Sequence, residues 1–248
     1  AIRWRSIARE LYNRGYIVTV LTGLPENEDL IDTNNSYEVL YVKNNFIENI
    51  RRKFISTNSI KSPTKSSNNK SNIFLLIKRI LKAIYNLFIS KIQWPDSSWN
   101  WIKNAKLEAF RYIENNKDID IIISVSHPFS SHIIARSLKE KNPYIKWIAD
   151  NGDPFSLLTG VSYNNTFFYN KKNISAEMAV IKECDRFCIT TKETELLYKD
   201  FFGLTEKYFV IPPLLSSEAF NFFSLKKENK NFSEKNNIYK FIFIGTLY

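Results

Sequence analysis

The feature that most constrains this chain is a series of short, continuous apolar runs separated by segments of helical pattern. Ile119–Val125 (IDIIISV), Tyr144–Ala149, Arg186–Thr190 and Tyr208–Ile211 are each of strand length. A strand with one wet face alternates apolar and polar residues, whereas a strand covered on both faces is apolar throughout. Between the runs lie Ser130–Glu140, Ser175–Cys184 and Lys192–Phe201, which read as helices, the last with Thr191 as its N-cap. Pro212-Pro213 stops the final run. The alternation predicts βαβ units, and therefore an α/β chain whose parallel sheet carries helices on both faces.

The ends follow the same pattern. Arg3–Arg14 has apolar residues at Trp4, Ile7, Ala8, Leu11 and Tyr12, the one-face spacing of a helix, with Gly15 placed to close it. Tyr16–Thr22 reads as a buried strand, and Glu38–Val42 as a short one. A helix feeding such a strand normally follows an earlier strand, so the lobe is expected to lack its first one. Ser224–Asn237, rich in Lys, Glu and Asn, reads as a linker, and Tyr239–Ile244 as a fresh strand. The expected organisation is a lobe over 1–223, a linker over 224–238, and the opening of a second lobe over 239–248.

Charge is unevenly placed. Residues 43–111 hold 14 Lys and Arg against 3 Asp and Glu, so the whole of the formal +10 resides there. A basic face attracts nucleic acid, anionic lipid or phosphorylated substrates, and charge alone does not choose among them. Ser56–Ser71 is polar and reads as a loop. Ile73–Ile92 (IFLLIKRILKAIYNLFISKI) combines a wide apolar face with a narrow stripe of Lys78, Lys82, Asn86 and Ser90, Arg79 lying beside it. Three charges near its middle argue against a span. Two readings remain: an interfacial helix with Leu76, Lys78, Arg79 and Lys82 toward anionic lipid, or a core helix with a basic edge. The tryptophans of Trp94-Pro95-Asp96, Trp99 and Trp101 either stack bases or pack the foot of this segment.

In an open α/β sheet, ligands bind beyond the carboxyl ends of the strands. There the run ending at Val125 delivers Ser126, His127, Ser130 and Ser131, and the run ending at Ala149 delivers Asp150, Gly152 and Asp153. His and Asp can orient sugar hydroxyls and take a proton from one of them. Turn and cap chemistry explains any one of these residues equally well. His132, inside the helix, reads as structural. Cys184 and Cys188 sit on different elements and do not form a zinc knuckle, and no metal or cofactor is expected. Six glycines permit neither a phosphate-binding nor a dinucleotide-binding glycine loop, and no G-x-S-x-G elbow occurs.

The order of these segments resembles the acceptor lobe of retaining GT-B glycosyltransferases of family 4. The resemblance runs through IARELYNRGYIVTVLTG, WPDSSWNWIKNA, DIIISVSHPFSSHIIARSL, WIADNGDPFS, AEMAVIKECDRFCITTKETELL and YFVIPPLL to FIFIGTLY. Residues 43–90 are its divergent part. It implies two Rossmann-like lobes facing a cleft, a nucleotide-sugar as co-substrate and a glycan or lipid-linked acceptor. It further implies a role in bacterial surface polysaccharide synthesis, in the cytoplasm and peripheral on the inner membrane face. His127 and Asp150 would then be catalytic and Ser126, Ser130 and Asp153 would meet the acceptor. Gly245 and Thr246 would open the loop under the donor phosphates. The family's glycine-rich loop and its C-terminal glutamate pair are absent, so the polypeptide by itself is expected to be inactive. A nucleotide-sugar 2-epimerase, or a basic module gripping nucleic acid or membrane, is the alternative.

Overall fold

Backbone pairing sorts the apolar runs into two sheets. In the computed structural model the described residues are 2–24, 37–43, 92–158, 160 and 162–212. Strands β1 (Thr19–Gly23) and β2 (Glu38–Val42) pair with each other. Strands β3 (Ile121–Ser126), β4 (Lys146–Asn151), β5 (Arg186–Ile189) and β6 (Tyr208–Val210) form a parallel sheet in that order. The chain divides into two compact units, one containing residues 1–18, 34–38 and 213–248, the other residues 19–33 and 39–212.

Within the first unit, helix α1 (Ile2–Asn13) ends where Gly15 takes a φ of +89°, a conformation that costs glycine little. Gly15 N–H donates to the Tyr12 carbonyl and Tyr16 N–H to that of Leu11. This paired closure is the Schellman arrangement, and it satisfies carbonyls that the helix end would otherwise leave open.

The second unit holds α2 (Ile102–Asn115), α3 (Ser130–Lys141), α4 (Thr166–Glu183) and α5 (Lys192–Phe202). When spatial order follows chain order, right-handed crossovers put successive helices on one face of the sheet. The core agrees: Ala135, Val180, Ile181 and Tyr198 from α3, α4 and α5 gather with Trp147, Ala149, Phe187, Ile189 and Tyr208. Trp147, Phe187 and Tyr198 are fully buried, each contributing roughly 1.5–3 kcal/mol by leaving water. A second cluster joins α2 and α3 to β2 through Ala105, Ala109, Ile113, Ile134, Leu138 and Val42. On the opposite face of the four-stranded sheet, Ile121 and Phe209 remain 52% and 43% exposed. The architecture is α/β and Rossmann-like, a parallel sheet flanked by helices, as the sequence predicts; among the described residues the helices that follow β3, β4 and β5 share one face of the four-stranded sheet rather than dividing between both.

Several elements differ from expectation, among them β1, which begins at Thr19 rather than Tyr16. Strand β4 begins two residues late and runs on through Asp150 and Asn151, because both pair with β3 and β5. Helix α4 starts at Thr166 rather than Ser175, with the Asn165 side chain accepting from Phe167 N–H. Its first turns, NTFFYNKK, bury almost nothing, so no apolar stripe announces them. Helix α2 was not anticipated, although Ile102, Ala105, Ala109 and Ile113 carry helical spacing. The expected caps hold: Thr191 Oγ1 accepts from Thr194 N–H at 3.1 Å at the start of α5. The linker 224–238, the strand in 239–248, residues Leu76, Lys78, Arg79 and Lys82, and the pair Gly245 and Thr246 lie outside the described residues.

The amino ends of the strands are tied by one carboxylate. Asp185 accepts from Lys139 Nζ and Trp147 N–H, each at 2.8 Å, and lies 3.4 Å from Lys146 Nζ. Burial pushes its pKa up, but these donors and the Lys139 charge outweigh it and hold the group at about 2.

Candidate functional site

At the carboxyl ends of β3 and β4, two buried carboxylates set the shape of the loops. The first is Asp96, 4% exposed, from the segment between Trp94 and Trp99. Its Oδ2 accepts from Ser130 N–H at 2.9 Å, and its Oδ1 from Ser130 Oγ at 2.7 Å and Ser98 N–H at 2.8 Å. Helix α3 has no capping side chain of its own, since its N-cap position is Phe129. A distant carboxylate therefore serves the open amide of Ser130, where the positive helix terminus also favours it. Asp96 is in turn steadied by its neighbours. Trp94 Nε1 donates to Asn173 Oδ1 at 3.0 Å, and Asn164 and Asn173 exchange hydrogen bonds while Asn164 also donates to the Pro95 carbonyl.

The second carboxylate is Glu177 of α4, fully buried. Oε1 accepts from Phe155 N–H at 2.9 Å and from the Tyr198 hydroxyl, and Oε2 accepts from Ser156 N–H at 2.8 Å and the Ser156 hydroxyl. Asn151 Nδ2 donates to Tyr198 Oη at 2.6 Å, so the chain of bonds runs from the end of β4 back to the loop that follows it. Ionised carboxylates accept such bonds more strongly than neutral groups do. Burial foremost, with the charge of Glu177 beside it, raises the Tyr198 phenol well above its ordinary value.

His127 stands between these anchors. The Ser126–His127 and His127–Pro128 peptide bonds are both cis. Its ring stacks on Tyr163, with centroids 3.6 Å apart and planes at 28°. Among the described residues neither ring nitrogen has a hydrogen-bond partner, and the same is true of Ser126 Oγ and Asn151 Oδ1, which lie opposite one another in register. Burial lowers the His127 pKa, against smaller opposing effects of Asp153 and then Asp96. The ring is therefore neutral near pH 7, with one nitrogen able to accept and the other to donate. Buried polar atoms without partners are uncommon enough to call for a ligand or water.

His132 has a different role. It is fully buried, and its Nδ1 lies 2.7 Å from Ser124 Oγ, which also receives Trp147 Nε1–H at 2.8 Å. Ser124 donating to Nδ1 satisfies all three groups and places the imidazole proton on Nε2. Burial foremost, then repulsion from His127, pushes its pKa down to about 3. Asn151 acts in the opposite direction, although His132 Nε2 and Asn151 Oδ1 do not meet hydrogen-bond geometry.

The structure rearranges the expected site. Asp150 is a strand residue, and register puts it on the face of Val125 and Cys188, opposite Ser126 and Asn151. His127 and Asp150, both expected to be catalytic, make no hydrogen bond to each other; Asp153, which is exposed, is the carboxylate foremost in acting on His127. Ser130 is fully buried and spent on Asp96, so it anchors a loop rather than meeting an acceptor. Gly152 matters for close approach: a Cβ there would sit 3.3 Å from the Ser126 carbonyl oxygen. Burial pushes the Cys184 thiol up to about 12, which leaves it protonated and unreactive. Sequence reasoning missed Tyr163, Asn151 and Glu177, and saw Asp96 only as part of an aromatic cluster. Among the described residues no group of three His, Cys, Asp or Glu side chains is placed to hold a metal.

The fold and loop geometry together define a Rossmann-like lobe with its polar cluster at the strand ends, the position where such sheets take ligands. The chain matches no protein-family model and no curated protein.

Proposed function

We propose that this chain supplies the acceptor side of a glycosyltransferase that uses a nucleotide-sugar donor and a glycan or lipid-linked acceptor. The observation that carries the reading is His127: a neutral imidazole with both nitrogens unpartnered among the described residues, stacked on an aromatic ring at the carboxyl ends of two parallel strands. A sugar hydroxyl needs one acceptor and one donor within reach, and a neutral imidazole offers both. As the bond from that hydroxyl oxygen to the donor's anomeric carbon forms, the bond from that carbon to the diphosphate breaks. His127 takes the hydroxyl proton, and the nucleoside diphosphate leaves. Tyr163 supports the ring from one side, and Asp153 at the rim favours the imidazolium that results. Asp96 and Glu177 hold the two loops so that little reorganisation is needed on binding.

Saturation-transfer NMR of the chain against a panel of oligosaccharides tests the acceptor side. Binding that His127→Ala abolishes, with an unchanged fold, is expected. In a polypeptide that also carries the donor lobe, the same substitution should abolish nucleoside diphosphate release. Saccharide binding unaffected by His127→Ala, or no saccharide binding at all, overturns the reading.

A further inference from the structure

The first two turns of α4 present two aromatic rings to water beside two cations. Phe167 and Phe168 are 89% and 66% exposed, their rings edge-to-face with centroids 5.2 Å apart. Lys171 and Lys172, both exposed, follow them one helical turn later, so the four residues share a stripe. Lys172 Nζ lies 3.7 Å over the Trp94 ring, and the Tyr169 hydroxyl donates to the Ile92 carbonyl at 2.9 Å, which holds the exposed Ile92 beside the same turns. The fold does not use these rings: α4 meets the core through Asn173, Glu177, Val180 and Ile181. Residues 160–176 contain no Asp or Glu, and the first acid after them, Glu177, is buried.

We propose that this surface docks on an anionic lipid bilayer, with Phe167, Phe168 and Ile92 entering the interface and Lys171 and Lys172 meeting headgroup phosphates. Phenylalanine rings on an interfacial helix bury at the boundary of headgroups and acyl chains, and lysines one turn away have the stem length to reach phosphate while covering apolar surface. The segment 160–176 carries two lysines and no carboxylate, which complements an anionic leaflet. Among the described residues no helix is long and apolar enough to cross a membrane. Tyr163, four residues before Phe167, stacks on His127, so the docking surface and the candidate site share one stretch of chain. The inference does not depend on the chemistry at His127.

Co-sedimentation of the chain with vesicles of phosphatidylcholine, with and without roughly one quarter phosphatidylglycerol, tests it. The chain should bind the anionic vesicles, more weakly as salt rises. Phe167→Ala with Phe168→Ala should lower the partition coefficient about tenfold or more. Lys171→Gln with Lys172→Gln should lower it about tenfold or more on anionic vesicles and leave neutral ones unaffected. Circular dichroism should show each variant folded, since all four side chains are exposed. No binding of the wild-type chain to anionic vesicles overturns the proposal, as does equal binding by the phenylalanine variant. Phe167-dependent binding to an RNA oligonucleotide without vesicle binding also overturns it and reassigns the surface to nucleic acid.

Discussion

Replacing Glu177 with Gln changes one atom at the centre of the network that shapes the loop after β4. The side chains are isosteric, so no cavity opens and the measured effect reports hydrogen bonding. Four donors converge on the two carboxylate oxygens: Phe155 N–H and the Tyr198 hydroxyl on one, Ser156 N–H and the Ser156 hydroxyl on the other. Either orientation of the amide turns its NH2 group toward one backbone N–H, leaving that buried donor unsatisfied. Such a group costs about 1–3 kcal/mol, and the remaining bonds lose the strength that a charged acceptor gives them. The expected destabilisation is about 2–4 kcal/mol, read as a lower urea midpoint at unchanged slope. Amide exchange should accelerate at Phe155 and Ser156 before it does in the strands. A double-mutant cycle with Tyr198→Phe should show coupling of about 1 kcal/mol, because the phenol shares an oxygen with Phe155 N–H. A loss below about 0.5 kcal/mol, with both amides still protected, would refute the view that Glu177 holds this loop.

Two acid-range effects follow from His132 and Asp185. His132 titrates at about 3 in the folded chain against an ordinary 6.5, so only the unfolded chain takes up its proton between those values. Its contribution is complete above pH 6.5 and falls by about 1.4 kcal/mol per pH unit as pH drops toward 3. His132→Gln should flatten that slope in urea titrations at stepped pH, and an unchanged slope would contradict the assignment. Asp185, held at about 2 against 3.8, contributes stability that is present above 3.8 and lost as pH falls through 2, about 2 kcal/mol in all. Asp185→Asn should remove that increment at pH 7, and should make Lys139 and Lys146 more mobile by NMR; equal stability of the variant would argue against it.

Much of the architecture is legible in local pattern. IDIIISV and YIKWIA are largely apolar runs of strand length, although Ile121 and Ile123 on one face of the sheet stay exposed, and Gly15 and Thr191 mark helix ends by backbone and side-chain chemistry that acts within a few residues. His127 is also visible, since a polar residue after a buried parallel strand falls at the ligand edge by topology alone. Asp150 lies within a strand rather than beyond it for a specific reason: where a strand ends depends on what its neighbours can pair with. Because β3 and β5 both extend that far, Asp150 and Asn151 became ladder residues, and alternation sent their side chains to opposite faces.

The local pattern of apolar runs, caps and prolines determined the α/β class and the strand edge at which polar residues collect, because those features arise from periods of two and 3.6 residues that short segments carry on their own. The tertiary structure alone decided which groups meet there. Asp96 reaches Ser130 across 34 positions, Glu177 reaches Phe155 across 22, and Tyr163 covers His127. Contacts at such separations leave no trace in local spacing, since they depend on the relative placement of whole elements, which packing of the shared core sets.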